Sequence, residues 1–297
     1  MDALTLDQIQ IFLTVVDEGS FTVAAKRLNR ARSAVTYGIQ KLEAQIGLPL
    51  FDRSAYRPTL TDAGRILLVR ARRIAQEADT FKESAESLAS GLEGEVSIVV
   101  NSMFPMPMLL TALKVFAQQF PTVPPRICVR NLGVPAQMVL DGTSMIGLFP
   151  AIYTDGAMKS FPVFTMELVP VVSSEHPLAA VEGPINTHAL QQHVQLVLTD
   201  GSVPDSNPDL GVLSARNWRL ADLGVKHAML LAGLGWGTMP LHMVEDDIAH
   251  GRLKVVWPED FEPPLRFVMS CAYLMEPRLG PAAQWLLRHL LETRSVS

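Results

Sequence analysis

From residue 59 to residue 104 the chain carries no proline, and this interval most constrains what it can fold into. Thr61-Asp62 offers an N-cap and an acidic group for the positive end of a helix. Leu67, Ala71, Ile74, Ala78, Phe81, Ala85 and Leu88 then recur at alternating steps of four and three, the a/d spacing of a heptad. Residues 61–90 are therefore predicted as one helix of about 30 residues, ~45 Å long. A polar helix of that length is not stable alone, so its apolar stripe needs a partner. A second copy of the same helix is the simplest one, with Leu67, Ile74, Phe81 and Leu88 as the dimerisation seam. Packing of the stripe on the C-terminal domain of its own chain is the alternative. Gly91 and Gly94 mark the exit from the helix.

On either side lie unlike halves: residues 1–60, then the linker helix over 61–91, then 92–297. The net charge of −5 does not suggest a polyanion partner, but it hides an asymmetry. Residues 26–73 hold eleven Lys and Arg against three Asp and Glu, a net +8, whereas residues 91–297 hold 13 against 19, a net −6. An anionic partner for one part only follows. The 297 residues fit about two domains, and 48% hydrophobic against 19% charged residues excludes a disordered chain. No run approaches the ~20 apolar residues that span a bilayer, so no membrane partner is expected. Met1-Asp2-Ala3-Leu4 opens no signal peptide, and two cysteines are too few for a disulfide scaffold. A cytoplasmic chain is the expectation.

Thr5-Leu6-Asp7-Gln8 fits a capping box and opens a first helix with Leu6, Ile9, Leu13 and Val16 on one face. Gly19 ends it, and Ser20 caps a second helix bearing Phe21, Ala24, Ala25 and Leu28. After the turn Asn29-Arg30-Ala31, a third helix carries Val35, Ile39, Leu42 and Ile46 inward and is closed by Gly47. Leu50–Arg53 and Arg57–Leu60 read as two short extended pieces. Three short helices and a basic hairpin make a winged helix-turn-helix. The first turn of helix three is left exposing Arg32, Ser33, Thr36 and Tyr37. A helix entering the major groove meets base edges with such N-terminal residues, and Arg reads guanine O6 and N7 bidentately. A solvated amphipathic helix is the plainer reading of those four; the basic hairpin and the matching second helix argue against it.

Leu6, Phe12, Val16, Gly19-Ser20-Phe21-Thr22, Ala24-Ala25, Leu28, Ala34-Val35-Thr36, Ile39, Leu42-Glu43, Gly47, Leu50-Phe51, Arg53 and Thr61-x-x-Gly64 form one pattern. With it, residues 4–64 resemble the DNA-binding domain of the LysR-type transcriptional regulators. That family's third helix usually opens Ser-Gln-Pro with a serine three residues later, where this chain has Ala31-Arg32-Ser33 and Thr36. The departures fall at base-facing positions and bear on the operator sequence. The resemblance implies that Arg32 and Ser33 read bases in double-stranded DNA. Ser20, Thr36, Arg53 and Arg57 would grip backbone or minor groove. It also implies a homodimer or homotetramer, with RNA polymerase as a possible further partner.

Residues 92–297 alternate strand and helix, which predicts parallel α/β layers. Two lobes are expected, about 92–162 with 268–297 and about 163–267. The fold class is thus α/β multidomain: an all-α winged helix-turn-helix, a long linker helix and a two-lobed α/β effector-binding domain. The family carries such a domain, similar to periplasmic binding proteins, and Leu231–Pro240 resembles its late Ala-Gly-x-Gly stretch. In open α/β lobes ligands sit at the carboxyl ends of strands, beside helix N-termini. That rule selects Asn101, Ser102, Met103, Phe149, Thr199, Asp200 and Ser202. A small organic effector, aromatic or carboxylated, is the expected ligand, with Met103, Phe104, Met106, Met108 and Phe149 as an apolar wall or, alternatively, as core. Asp200 repels an anion unless it turns away.

No catalytic constellation is visible, so no enzyme is expected. The seven histidines lack metal-ligand spacing, and no metal or cofactor is expected. Cys128 and Cys271 read as core residues. Gly233-Leu234-Gly235-Trp236-Gly237 looks like part of a dinucleotide fingerprint, but it runs from helix to strand, the reverse of what phosphate binding needs. A ligand-responsive transcription factor leads; a ligand-binding module without DNA function and an enzyme on a recruited binding-protein fold follow.

Overall fold

Thr5 begins the structure as a helix start should: its hydroxyl accepts from the Gln8 amide and the Gln8 side chain accepts from the Thr5 amide. The computed structural model describes residues 4–52, 58–200, 211–259 and 263–292. They divide into two compact units, Met1–Ser90 and Gly91–Ser297.

In the first unit, α1 (Leu6–Glu18) ends at Gly19 with φ +60°, and α2 (Phe21–Arg27) is capped by the Ser20 hydroxyl, 3.4 Å from the Val23 amide. Asn29 turns the chain at φ +52°, and α3 (Arg32–Ile46) ends at Gly47 with φ +71°. The wing is β1 (Phe51–Asp52) antiparallel to β2 (Thr59–Leu60), followed by α4 (Asp62–Ala89). Phe12, Val15, Ala24, Val35, Ile39, Leu42 and Leu50 form the core. Leu6, expected on the buried face of α1, is instead exposed; Ile9, Phe12 and Val15 carry that face. Glu43 ties the wing to α3, its carboxylate accepting from the amides of Leu50 (2.8 Å) and Phe51 (3.2 Å).

The second unit runs β3 (Val96–Asn101), α5 (Met106–Gln119), β4 (Pro125–Arg130), α6 (Val134–Leu140), β5 (Ile146–Pro150), β6 (Met158–Ser173), α7 (Thr187–Gln191), β7 (Gln195–Leu198), β8 (Asn217–Leu220), α8 (Leu223–Leu231), β9 (Trp236–Pro240), α9 (Leu241–Ala249), β10 (Leu253–Val255), β11 (Leu265–Leu274) and α10 (Pro281–Glu292). Its strands join one sheet in the order β4-β3-β5-β11-β6-β9-β7-β8, with β10 also on β6. The outer strands pair in parallel, as expected, but β11 is antiparallel to both β5 and β6. The sheet is therefore mixed: β6 and β11 cross between the lobes as adjacent antiparallel partners. Alternation sorts the side chains. Ile98, Val100, Ile146, Leu148 and Cys271 meet α5 and α10, while Val99, Phe149 and Ala272 meet α6. In the other lobe Val169, Val171, Leu196 and Met239 pack under Leu223, Leu230 and Val244. Cys271 is a core residue as expected; Cys128, on the outermost strand β4, is only half-buried.

Candidate functional site

Two regions deserve a functional reading, one in each unit. In the first, α3 begins at Arg32 without any side-chain cap, so its leading amides are open. Arg32, Ser33 and Tyr37 are exposed, Tyr37 to 66%, and Thr36 is half-buried with its hydroxyl donating to the Arg32 carbonyl at 3.0 Å. These four stand together on the first turns of one helix. Ser20 sits at the start of α2, where its hydroxyl oxygen is engaged as a cap. Arg53 and Arg57 lie outside the described residues.

Charge is distributed unevenly over this unit. Residues 1–90 hold twelve basic and eleven acidic side chains, a net of only +1. The acids of α1 are spent on arginines: Asp7 receives a two-pronged bond from Arg30 (2.7 and 2.8 Å), Glu18 meets Arg27 at 2.5 Å, and Asp17 meets Arg72 at 3.1 Å. The Arg30 bond holds Asp7 below the usual carboxylate range against the opposing effect of burial. Among the described residues, Lys26, Arg32, Arg70 and Arg73 make no ion pair. Arg32, the first residue of α3, thus keeps a free guanidinium among the described residues. Gly38 lets α3 lie close on α1: an added Cβ would stand 2.8 Å from Ile11 Cδ1.

The predicted seam of α4 splits in two. Leu67 and Ala71 pack into the core of their own unit, because α4 leaves the wing alongside α1. Beyond them Ile74 (40%), Phe81 (76%) and Leu88 (56%) are exposed in a line.

In the second unit a cavity of about 130 Å³ opens between the lobes. Asn101, Met103, Leu132, Ile152 and Tyr153 line it from one lobe, Met166, Leu168 and Phe267 from the crossing strands. Gln195, Val197, Leu198, Lys226 and Thr238 line it from the other. Of the described residues chosen by the strand-end rule, only Asn101 and Met103 lie in this wall. Asn101 shapes the turn there, its amide donating to the Leu132 carbonyl (3.2 Å) and its oxygen accepting from the Met103 amide (3.0 Å). Phe149 does not line the cavity: it is fully buried on the α6 face, since strand alternation turns it away from the face of Ile146 and Leu148. Phe104 likewise belongs to the core beneath α5. The Ser102 amide continues the β3–β4 ladder to the Arg130 carbonyl (2.9 Å), and its hydroxyl is buried without a hydrogen-bond partner among the described residues. Thr199 is buried and Asp200 half-buried beside the cavity rather than in its wall, and Ser202 lies outside the described residues.

Two residues here were not among those selected, although the first directly follows the end of β4. Asn131, on the first lobe, donates across to the second: its amide nitrogen reaches the carbonyls of Thr199 (2.9 Å) and Ala221 (2.7 Å). Lys226 is 3% exposed, its ammonium donating to the Thr238 carbonyl at 2.8 Å. Burial pushes its pKa down to about 8. Gly237 makes room for the stem, since a Cβ there would stand 3.1 Å from Lys226 Cε and 2.7 Å from the Leu196 carbonyl oxygen. Of the glycines that look like a nucleotide fingerprint, Gly235 and Gly237 thus let β9 lie close against β7 and the residue before it, while Gly233 turns the chain after α8 at φ +71°. A clue to Lys226 was present: it falls at the apolar register of α8, between Leu223 and Leu230.

Known proteins match both units of the chain. Residues 6–65 match the family described as "Bacterial regulatory helix-turn-helix protein, lysR family", and residues 89–295 match the "LysR substrate binding domain". The chain is 31% identical over 299 residues to the "Probable HTH-type transcriptional regulator YhaJ" of Escherichia coli K12, covering 97% of this chain and 96% of that one. It is 29% identical over 290 residues to the "HTH-type transcriptional regulator AceR" of Acinetobacter baumannii, covering 97% of each. An OxyR mutant of Corynebacterium glutamicum shares the fold at TM-score 0.55 and 20% identity, over 98% of this chain and 93% of that one. CrgA of Neisseria meningitidis does so at TM-score 0.50 and 20% identity, over 99% of this chain and 98% of that one. Among the described residues no helix is long and apolar enough to cross a membrane. The chain belongs to the LysR family: it is a DNA-binding transcriptional regulator with a helix-turn-helix unit followed by a substrate-binding domain.

Proposed function

We propose that α3 reads its operator in the major groove through Arg32 and Ser33, with Thr36 and Tyr37 beside them. Ser20, Arg53 and Arg57 hold phosphates or the minor groove. The observation that carries this is the uncapped, exposed first turn of α3 with an unpaired guanidinium at its head. Open amides at a helix N-terminus attract phosphate, and a free Arg can take both guanine acceptors. Two such helices are needed for a two-fold site, and the exposed Ile74, Phe81 and Leu88 of α4 supply an apolar line for pairing with a second copy. Homodimer or homotetramer assembly in the cytoplasm, with contact to RNA polymerase on the promoter, completes this reading.

The second half senses. A small organic effector occupies the cavity between the lobes and changes how the protein binds or bends DNA. It shifts that equilibrium only by its differential affinity for the two states. The lining by both lobes and both crossing strands supports this reading. The test is fluorescence anisotropy of the full-length protein on bound genomic fragments, with and without metabolite extract. Sequence-specific binding that responds to extract is expected. Binding equal on all duplexes, or none, would remove the DNA half; a specific complex indifferent to every extract would remove the sensing half.

A further inference from the structure

The described wall of the inter-lobe cavity carries one full charge, and it is positive. Lys226 is the only Lys or Arg among the described lining residues, and no Asp or Glu is among them. An ammonium has three donors. Lys226 gives one to the Thr238 carbonyl and, among the described residues, finds neither a carboxylate nor a second acceptor. A cation taken out of water is costly unless it is paired and hydrogen-bonded. The cost is visible in a pKa lowered to about 8, which still leaves the group charged near neutrality. Among the described residues, this cavity-lining cation has donors to spare and no anion beside it.

The rest of the wall limits what that anion is. Met103, Met166, Leu168 and Phe267 present an apolar surface. The volume of about 130 Å³ is close to that of an engineered cavity of about 150 Å³ that accepts benzene. One cation balances one negative charge. A second would go unmatched, and Asp200 already disfavours it near Tyr153, whose hydroxyl is raised in pKa by burial and by that carboxylate.

We propose that the cavity recognises a small organic monocarboxylate, one ring or a short chain, whose carboxylate pairs with Lys226 while its body rests on the methionine, leucine and phenylalanine wall. This rests on the reading that the cavity is the effector site, and it adds the chemical class and the anchor. The charged pair would bring hydrogen bonds of about 2.7–2.9 Å, roughly twice as strong as neutral ones.

The test is calorimetric titration of the full-length protein with benzoate and hexanoate, each beside its neutral amide. Wild type is compared with Lys226→Met, which keeps the stem and removes the charge, and Val197→Phe, which fills the cavity and leaves Lys226 in place. At least one carboxylate is expected to bind at least tenfold tighter than its amide. Lys226→Met is expected to weaken it at least tenfold while unfolding at no lower temperature than wild type, and Val197→Phe to abolish it. If the amides bind within tenfold of the carboxylates, or Lys226→Met stays within tenfold of wild type, while Val197→Phe still blocks, the anchor is wrong and the effector site stands. Binding that survives Val197→Phe overturns both. If neither carboxylate binds wild type at millimolar concentration, the monocarboxylate assignment fails. The wild-type contrast of acid with amide decides the matter even if a variant does not fold.

Discussion

At Gly64 an added methyl would stand 2.2 Å from the Leu50 carbonyl oxygen and 2.9 Å from Leu60 Cδ2, so the helix start and the wing touch backbone to backbone. Gly64→Ala should destabilise the first unit by about 1–3 kcal/mol, the usual cost of overpacking; a thermal unfolding midpoint equal to wild type would contradict it. Arg32→Ala should cost about 1–3 kcal/mol on the specific site and relax base preference there. Equal losses on operator and random duplex, measured by competition, would refute base reading. The placement of Arg32, Ser33, Thr36 and Tyr37 on the first turns of α3 was legible because caps, turns and the helical period are local. Phe149 was not, because the strand-end rule finds a position along a strand and not the face. Lys226 was not either: its burial depends on Gly237, eleven residues on, leaving room for its stem.

Helix ends carry much of the order at the next scale. Glu93 lies far from α10 in sequence, yet its carboxylate accepts from the amides of Ala282 and Ala283, each at 2.9 Å, and serves as that helix's N-terminal cap. Glu93→Ala should cost about 0.5–2 kcal/mol in chemical unfolding of the full chain; no change would mean that water replaces it. In α4, Phe81→Glu places a charge on the exposed apolar line, and self-association measured by sedimentation should fall. An unchanged oligomer would move the pairing surface elsewhere. The helix itself was legible over nearly its full length, since Thr61 caps it and no proline interrupts it. That Leu67 turns inward was hidden, because one heptad stripe serves two partners in succession. The short β8 also went unread: Asn217–Leu220 lacks an apolar run, and parallel pairing with β7 alone makes it a strand.

At the scale of the molecule, the mixed sheet shows where sequence reasoning ends. Alternating strands and helices announce α/β layers, but direction is decided by pairings over long separations, such as β6 with β11. The buried Asp247 adds a pH dependence. Burial alone would raise its pKa, but bonds from Arg252 (2.5 Å) and His227 Nε2 (2.7 Å) outweigh this and hold it below the usual carboxylate range. A depressed folded-state pKa contributes stability that is present above the ordinary aspartate value, about 3.9, and is lost as pH falls through the folded value. Asp247→Asn should therefore be less stable than wild type near neutrality, with the gap closing in acid. A gap in urea midpoints that stays constant from about pH 7 to about pH 3 would deny the linkage.

Between Met269 and Ser270 the crossing ladder skips: Met269 faces Phe164 and Ser270 faces Pro162, so Val163 has no opposite number. Proline brings no amide hydrogen to the rung beside it. Two strands bound edge to edge resist being bent apart, as two separate loops would not, and they give most easily in torsion at a missing rung. Whatever resets the lobes is therefore expected to wind this paired band by a small angle just beside that skip, at residues 165–167 and 266–268, where β6 and β11 have only each other, as a leaf spring yields at its thinnest point.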